Sequence, residues 1–143
     1  MRKQIIRTIS MLIFVVTLGV MSAHAQANNP LKAHIPFDFA IGNQTFKAGD
    51  YTIARVNPQS DQTVLSIKSA DGRESRVVST TPVQGAIEDD AKLVFNNYEG
   101  RYFLAQVWMA ADNTGLKLRA SHQERELAKN NAPRETVTLI AQR

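Results

Sequence analysis

IPFDFAIGNQTFKAGDYTI, residues Ile35 to Ile53, decides the fold class of this 143-residue chain. Extended back to Leu31, its odd positions Leu31, Ala33, Ile35, Phe37, Phe39 and Ile41 are all apolar. The even ones are Lys32, His34, Pro36, Asp38 and Ala40. A period of two is the pattern of a half-buried strand, since successive side chains point to opposite faces. Gly42-Asn43 and Lys47-Ala48-Gly49-Asp50 interrupt it as turns before Tyr51 to Ala54 resume it, so the stretch reads as two strands folded back on each other. Gly42 and Gly49 can supply the positive φ that tight turns need. Pro36 has no backbone donor, which places the first strand on a sheet edge, starts it there, or bends it at that residue.

The 25 residues at the N-terminus stand apart from this pattern. Arg2, Lys3 and Arg7 precede an apolar run from Ile9 to Val20, and Ala23-His24-Ala25 has the small-x-small form of a cleavage site. This is the layout of a secretory signal peptide, with cleavage expected after Ala25. The apolar run is shorter than the roughly 20 residues of a spanning helix, so no membrane span is expected after cleavage. Of the 17 basic residues three lie in the leader, and all 13 acidic ones lie beyond it, leaving 14 against 13 and a net charge of +1. The basicity of the whole chain thus belongs largely to the leader. Without a clustered basic face, nucleic acid is not expected as a partner.

There is no cysteine. Disulfides, thiolate metal sites, a cysteine nucleophile and a lipidated N-terminal cysteine are therefore excluded, and the fold must hold by packing. Gln26 to Pro30 reads as a flexible lead-in, and residues 31–143 as a single β domain of ordinary size.

Further along, Tyr51 to Val56 is a strand closed by the turn residues Asn57 to Asp61. Thr63 to Ser69 and Arg73 to Val83 flank Asp71-Gly72, a strong hairpin signal. Lys92 to Phe95 and Arg101 to Met109 form another hairpin around Asn96 to Gly100. In its second arm strict alternation puts Phe103, Ala105, Val107 and Met109 on one face and Tyr102, Leu104 and Trp108 on the other. A strand apolar on both faces belongs at the centre of the core, so Trp108→Ala or Phe103→Ala is expected to be among the most damaging changes. Ser121-His122-Gln123-Glu124 is a capping box opening a helix of about ten residues to Asn130, stopped by Asn131-Ala132-Pro133. Thr136 to Ala141 is the last strand. The expected fold is all-β: a single-domain antiparallel β-sandwich or small β-barrel with one short C-terminal surface helix. Pairing of the last strand with the first would close the barrel.

Chemistry-bearing residues are sparse. His34 and Asp38 share the outward face of the opening strand, but residues four apart on a strand lie ~13 Å apart, too far to bond. His122 falls in the first turn of the helix and reads as a surface residue. Glu88-Asp89-Asp90 could hold calcium through carboxylate oxygens, but lacks the ligand spacing and glycine of an EF-hand loop and reads as solvated. Tyr51, Tyr98, Tyr102 and Trp108 could make a stacking platform for sugar rings, although aromatics inside strand patterns more often fill a core. Asn43-Gln44-Thr45 matches a glycosylation acceptor. No nucleophile elbow, phosphate loop or dinucleotide fingerprint is present. No catalytic residue, cofactor site or metal site is assigned.

Three stretches resemble a group of small exported bacterial proteins of unknown function: the IPFDF opening with A-G-x-Y-x-I (Ile35 to Ile53), the Y-F-L-x-x-V-W strand (within Leu93 to Trp108) and E-R-E-L-A-K (Glu124 to Lys129). The tyrosine matched by Tyr98 often follows basic residues in that group, where this chain has Asn96-Asn97. The resemblance implies an exported β-rich domain and no catalytic residues. The expected function is a non-enzymatic β domain, periplasmic or extracellular, binding an envelope or extracellular partner or serving a structural role. The alternative is a small-ligand or carbohydrate-binding barrel or sandwich.

Overall fold

Alternation breaks at Pro36, and the chain uses the break to leave one half of its sheet for the other. The structure, a computed structural model, describes residues 30–57, 63–87, 89–130 and 132–141. The expected leader, most of the lead-in, the middle of the loop after Asn57 and Glu88 of the acidic loop lie outside these ranges. β1 (Leu31–Ile35) buries Leu31, Ala33 and Ile35 and turns Lys32 and His34 outward. After Pro36-Phe37-Asp38, β2 (Phe39–Ile41) resumes the pattern with new partners. It forms a hairpin with β3 (Gln44–Phe46) across Gly42-Asn43, where Gly42 takes φ +62°. β4 (Gly49–Arg55) then returns to lie antiparallel to β1. The quoted stretch therefore spans parts of four strands rather than two. Gly49 needs no positive φ, because it is the first residue of β4, opposite Ile35.

β5 (Val64–Ser69) and β6 (Ser75–Gln84) form the expected hairpin, with Gly72 at φ +72°. β6 is ten residues long because it serves both halves of the sheet. Ser75 to Ser79 pair with β5, and Thr80 to Gln84 pair with β9 (Thr114–Leu118). Thr63 and Thr80 bind each other at the changeover: each hydroxyl donates to the other's carbonyl, at 2.7 and 2.8 Å. Pro82 falls in the second half, where β5 no longer pairs with β6, so its missing donor disrupts no ladder there.

β7 (Ala91–Tyr98) and β8 (Arg101–Trp108) form the second hairpin. β8 also pairs with β9 and, in parallel, with β2, so the expected centre of the sheet is indeed its most connected strand. A β-bulge overturns the simple assignment of its faces. Val94 pairs with Gln106 but Phe95 with Leu104, which leaves Ala105 as an extra residue. One extra residue exchanges the faces. Tyr102 and Leu104 before it thus join Val107 and Met109 after it against the core. Phe103 is buried on the opposite face, edge-on to Tyr98 with ring centroids 6.1 Å apart. Trp108 is half-buried there, lying on Gly85 and Gly115, where a Cβ at either position would overlap the indole.

The helix, α1 (His122–Lys129), has the first half of the expected capping box: the Ser121 hydroxyl accepts the Glu124 amide at 3.0 Å. The Glu124 carboxylate is engaged across the interface instead, accepting the Asn96 side-chain amide of β7 at 2.7 Å. β10 (Arg134–Ala141) lies antiparallel to β7 along its whole length, with Val137 and Leu139 against the core.

The result is an all-β fold built on one ten-stranded sheet, mixed because β2 and β8 run parallel, and not closed into a barrel. The last strand pairs with β7 and not with β1. Both halves of the sheet bury their apolar faces in one shared cluster: Ile35, Ile53, Leu65 and Ile67 from one, Phe39, Phe46, Leu93, Phe95, Val107 and Leu116 from the other. Burial of each large side chain contributes roughly 1.5 to 3 kcal/mol.

Candidate functional site

The polar groups of the opening stretch gather at one end of the β1–β4–β5–β6 ladder. Antiparallel register puts His34 opposite Asp50, and His34 Nδ1 lies 2.7 Å from Asp50 Oδ1. Strand geometry ruled out the pairing of His34 with Asp38, but a cross-strand neighbour supplies the aspartate. Asp38 turns to the β3–β4 connection, where it accepts Lys47 Nζ at 2.8 Å and the Ala48 amide at 2.9 Å. The Lys47 hydrogen bond, followed by that of Ala48, holds the Asp38 carboxyl below its usual range, and Asp38 in turn raises the Lys47 ammonium.

Tyr51 is the buried member of the group. Its hydroxyl lies 2.7 Å from both the Lys47 carbonyl oxygen and Glu74 Oε2, and that carboxylate oxygen also accepts the Lys47 amide at 3.1 Å. Burial first, and then the Glu74 carboxylate, push the phenol far above its ordinary value. Glu74 is positioned by the β5–β6 turn. Its amide donates to the Ser69 hydroxyl at 3.0 Å, and that hydroxyl donates to Asp71 Oδ1 at 2.6 Å. The Ser69 hydrogen bond, with the Arg73 amide second, lowers the Asp71 carboxyl.

Lys47, Asp50, Tyr51, Ser69, Asp71 and Glu74 line an open depression of about 540 Å³. A second depression of about 520 Å³ adjoins it, shares Asp50 and Tyr51, and adds Lys32, His34 and Ile140. The arrangement suits recognition of a polar surface better than proton transfer. A phenol held protonated makes a poor base or nucleophile, and Asp38, Asp50, Asp71 and Glu74 each accept a hydrogen bond from a neighbour within the cluster.

The other candidate residues are dispersed. Tyr51 belongs to the core cluster, and Tyr102 stacks on Phe37 at 3.9 Å between centroids. Tyr98 and Trp108 stand at opposite ends of the β7–β8 hairpin, since Trp108 is opposite Lys92 and Tyr98 is opposite Arg101. Six strand residues separate those ends by ~20 Å. The four aromatics therefore do not assemble as a platform. His122 is exposed, 3.9 Å from Glu126. Asp89 and Asp90 are exposed, and Asn43 is exposed in the β2–β3 turn. Among the described residues, no three histidines or carboxylates converge as metal ligands, and no helix is long and apolar enough to cross a membrane.

Sequence reasoning missed Asp50 and Glu74. A register argument would have found Asp50, because folding β1 against β4 with Gly49 opposite Ile35 brings it to His34. Glu74 carries no local signal: it reaches Tyr51 only after β5 has paired with β4.

One further feature is the open seam of the sheet. Among the described residues, β10 is hydrogen-bonded as a strand to β7 alone, and β1 to β4 alone. The two come close without pairing, and Ile140 of β10, 63% exposed, borders the depression that contains Lys32 and His34. Comparison with protein-family models, with curated proteins and with solved structures returned no match. The resemblance to small exported proteins rests on the quoted motifs alone.

Proposed function

We propose that this protein is an exported, non-enzymatic β module, periplasmic or extracellular, that recognises an envelope or extracellular polypeptide along the unpaired edge of β10. The observation that carries this reading is an eight-residue strand, β10, paired among the described residues along one edge only. Unpaired backbone donors and acceptors on a strand edge accept an added strand, which supplies affinity through main-chain hydrogen bonds. The adjoining polar depressions would provide side-chain selectivity. The signal-like N-terminus and the IPFDF and YFLxxVW motifs support the exported location.

The test is site-specific photo-crosslinking of the purified protein in envelope extracts. A crosslinker at Thr138 on β10 is expected to capture a discrete protein. One at Lys68, equally on the surface but on β5, which is paired on both edges, is expected to capture none. Equal or absent capture at the two positions would sink the strand-addition reading. A small-ligand or carbohydrate role is the second reading, motivated by the open polar depression beside Tyr51. A saturable rise in melting temperature with one glycan class would favour it instead.

A further inference from the structure

β6 has its own vacant stretch of edge. Ser75 to Ser79 pair with β5, but β9 joins the other edge of β6 only from Thr80 onward. The chain leaves β9 at Leu118 and runs through Arg119 and Ala120 to the Ser121 cap of α1. The space so left is a depression of about 320 Å³, bordered by Arg76 to Ser79, by Leu118 to Ser121 and by the Ile41-Gly42 turn.

Its charge is one-sided. Two arginines line it, Arg76 and Arg119, and no carboxylate does. The depression beside Tyr51 differs, since there Asp50, Asp71 and Glu74 accompany Lys47 and Arg73. Among the described residues neither Arg76 nor Arg119 has a carboxylate within ion-pairing distance. Arg76 gives Nη1 to the neutral Gln44 side chain at a long 3.3 Å, and its buried Nε has no partner. The guanidinium lies against the Gly42 turn: Nη2 would stand 3.0 Å from a Cβ at position 42, a space left free by Gly42. A positioned guanidinium with unused donors is the side chain best matched to a planar or tetrahedral oxyanion. The Ser121 cap of α1 stands at the rim.

We propose that Arg76 and Arg119 form a binding site for an oxyanion, a phosphate, sulfate or carboxylate group carried by a larger ligand. The free edge of β6 and exposed Val77 offer that ligand hydrogen bonds and an apolar contact beside its anionic group. The site lies on elements other than β10 and does not depend on strand addition there.

The experiment is a titration of isotopically labelled, purified protein at constant ionic strength, followed by amide resonances. Inorganic phosphate, sulfate and acetate are the probes. Saturable shifts clustered at Gly42, Val77 and Ser121 are expected for at least one probe. Preference for the tetrahedral anions would assign a phosphate or sulfate ligand, and preference for acetate a carboxylate. Arg76→Gln and Arg119→Gln are each expected to weaken binding about tenfold or more, the scale of one charge-assisted hydrogen bond. Lys47→Gln, in the other depression, should leave it unchanged. Because Arg119 is exposed, its variant carries the test should Arg76→Gln fail to fold. No saturable shift with any probe, shifts spread evenly over the basic surface, or unaltered affinity in Arg119→Gln would overturn the proposal.

Discussion

Tyr51 shows how one residue serves packing and polarity together. Its ring packs edge-on against Phe39 and Phe46 in the core, while its hydroxyl reaches Glu74 at the rim. The folded protein holds the phenolic proton more tightly than the unfolded chain does. That contribution to stability is complete below the ordinary tyrosine value of 10.0 and is lost as the pH rises from there towards the raised folded value. Urea unfolding between pH 8 and 11 is therefore expected to show falling stability in the wild type and a flatter profile in Tyr51→Phe. Lys47, also raised, supplies the slope that remains. At neutral pH the substitution should cost about 1 to 2 kcal/mol, the worth of a hydrogen bond to a charged acceptor that keeps a second donor in the Lys47 amide. Identical alkaline slopes would show that the Tyr51–Glu74 contact does not contribute.

Among the elements, α1 is the clearest case of local sequence agreeing with tertiary need. The helix is short and polar, and the two residues that define its start, Ser121 and Glu124, are also its buried ones. The cap satisfies an orphan amide, and Glu124 ties the first turn to β7. Ser121→Ala is expected to destabilise the protein by about 1 kcal/mol in thermal or denaturant melts. Restoration by Ser121→Asp would assign the loss to capping. β8 is the opposite case. Alternation read from its residues put Phe103 with Val107, whereas the bulge at Ala105 separates them onto different faces. A bulge of this kind has no residue signature, because it is imposed by the register that β7 and β9 hold on either edge.

At the scale of the whole molecule, β6 makes two half-sheets into one fold. It is bound to β5 at one end and to β9 at the other, and the Thr63–Thr80 exchange marks the passage between them. The Arg55–Asp112 ion pair, at 3.0 Å and about one-third exposed, joins β4 to the turn after β8. Because the two halves share one core, Leu65→Ala in one and Leu93→Ala in the other are each expected to lower the same unfolding transition, by about 2 to 5 kcal/mol. Coincident curves from far-ultraviolet circular dichroism and Trp108 fluorescence would establish one cooperative unit. Two separated transitions, each sensitive to one substitution, would refute it.

The sequence by itself determined the secondary structure class, the hairpin at Asp71-Gly72, the helix cap at Ser121 and the central place of β8, because period-two alternation, turn chemistry and capping act over a few neighbouring residues. It also determined what the chain lacks, since without cysteine the fold rests on packing alone. Only the tertiary structure decided that Pro36 divides β1 from β2, that His34 meets Asp50 rather than Asp38, and that β10 joins β7 and leaves the sheet open. These outcomes depend on which strands pair and in what register. Backbone hydrogen bonding is nearly indifferent to side-chain identity, so competition for one shared core sets the pairing, and no single stretch contains it.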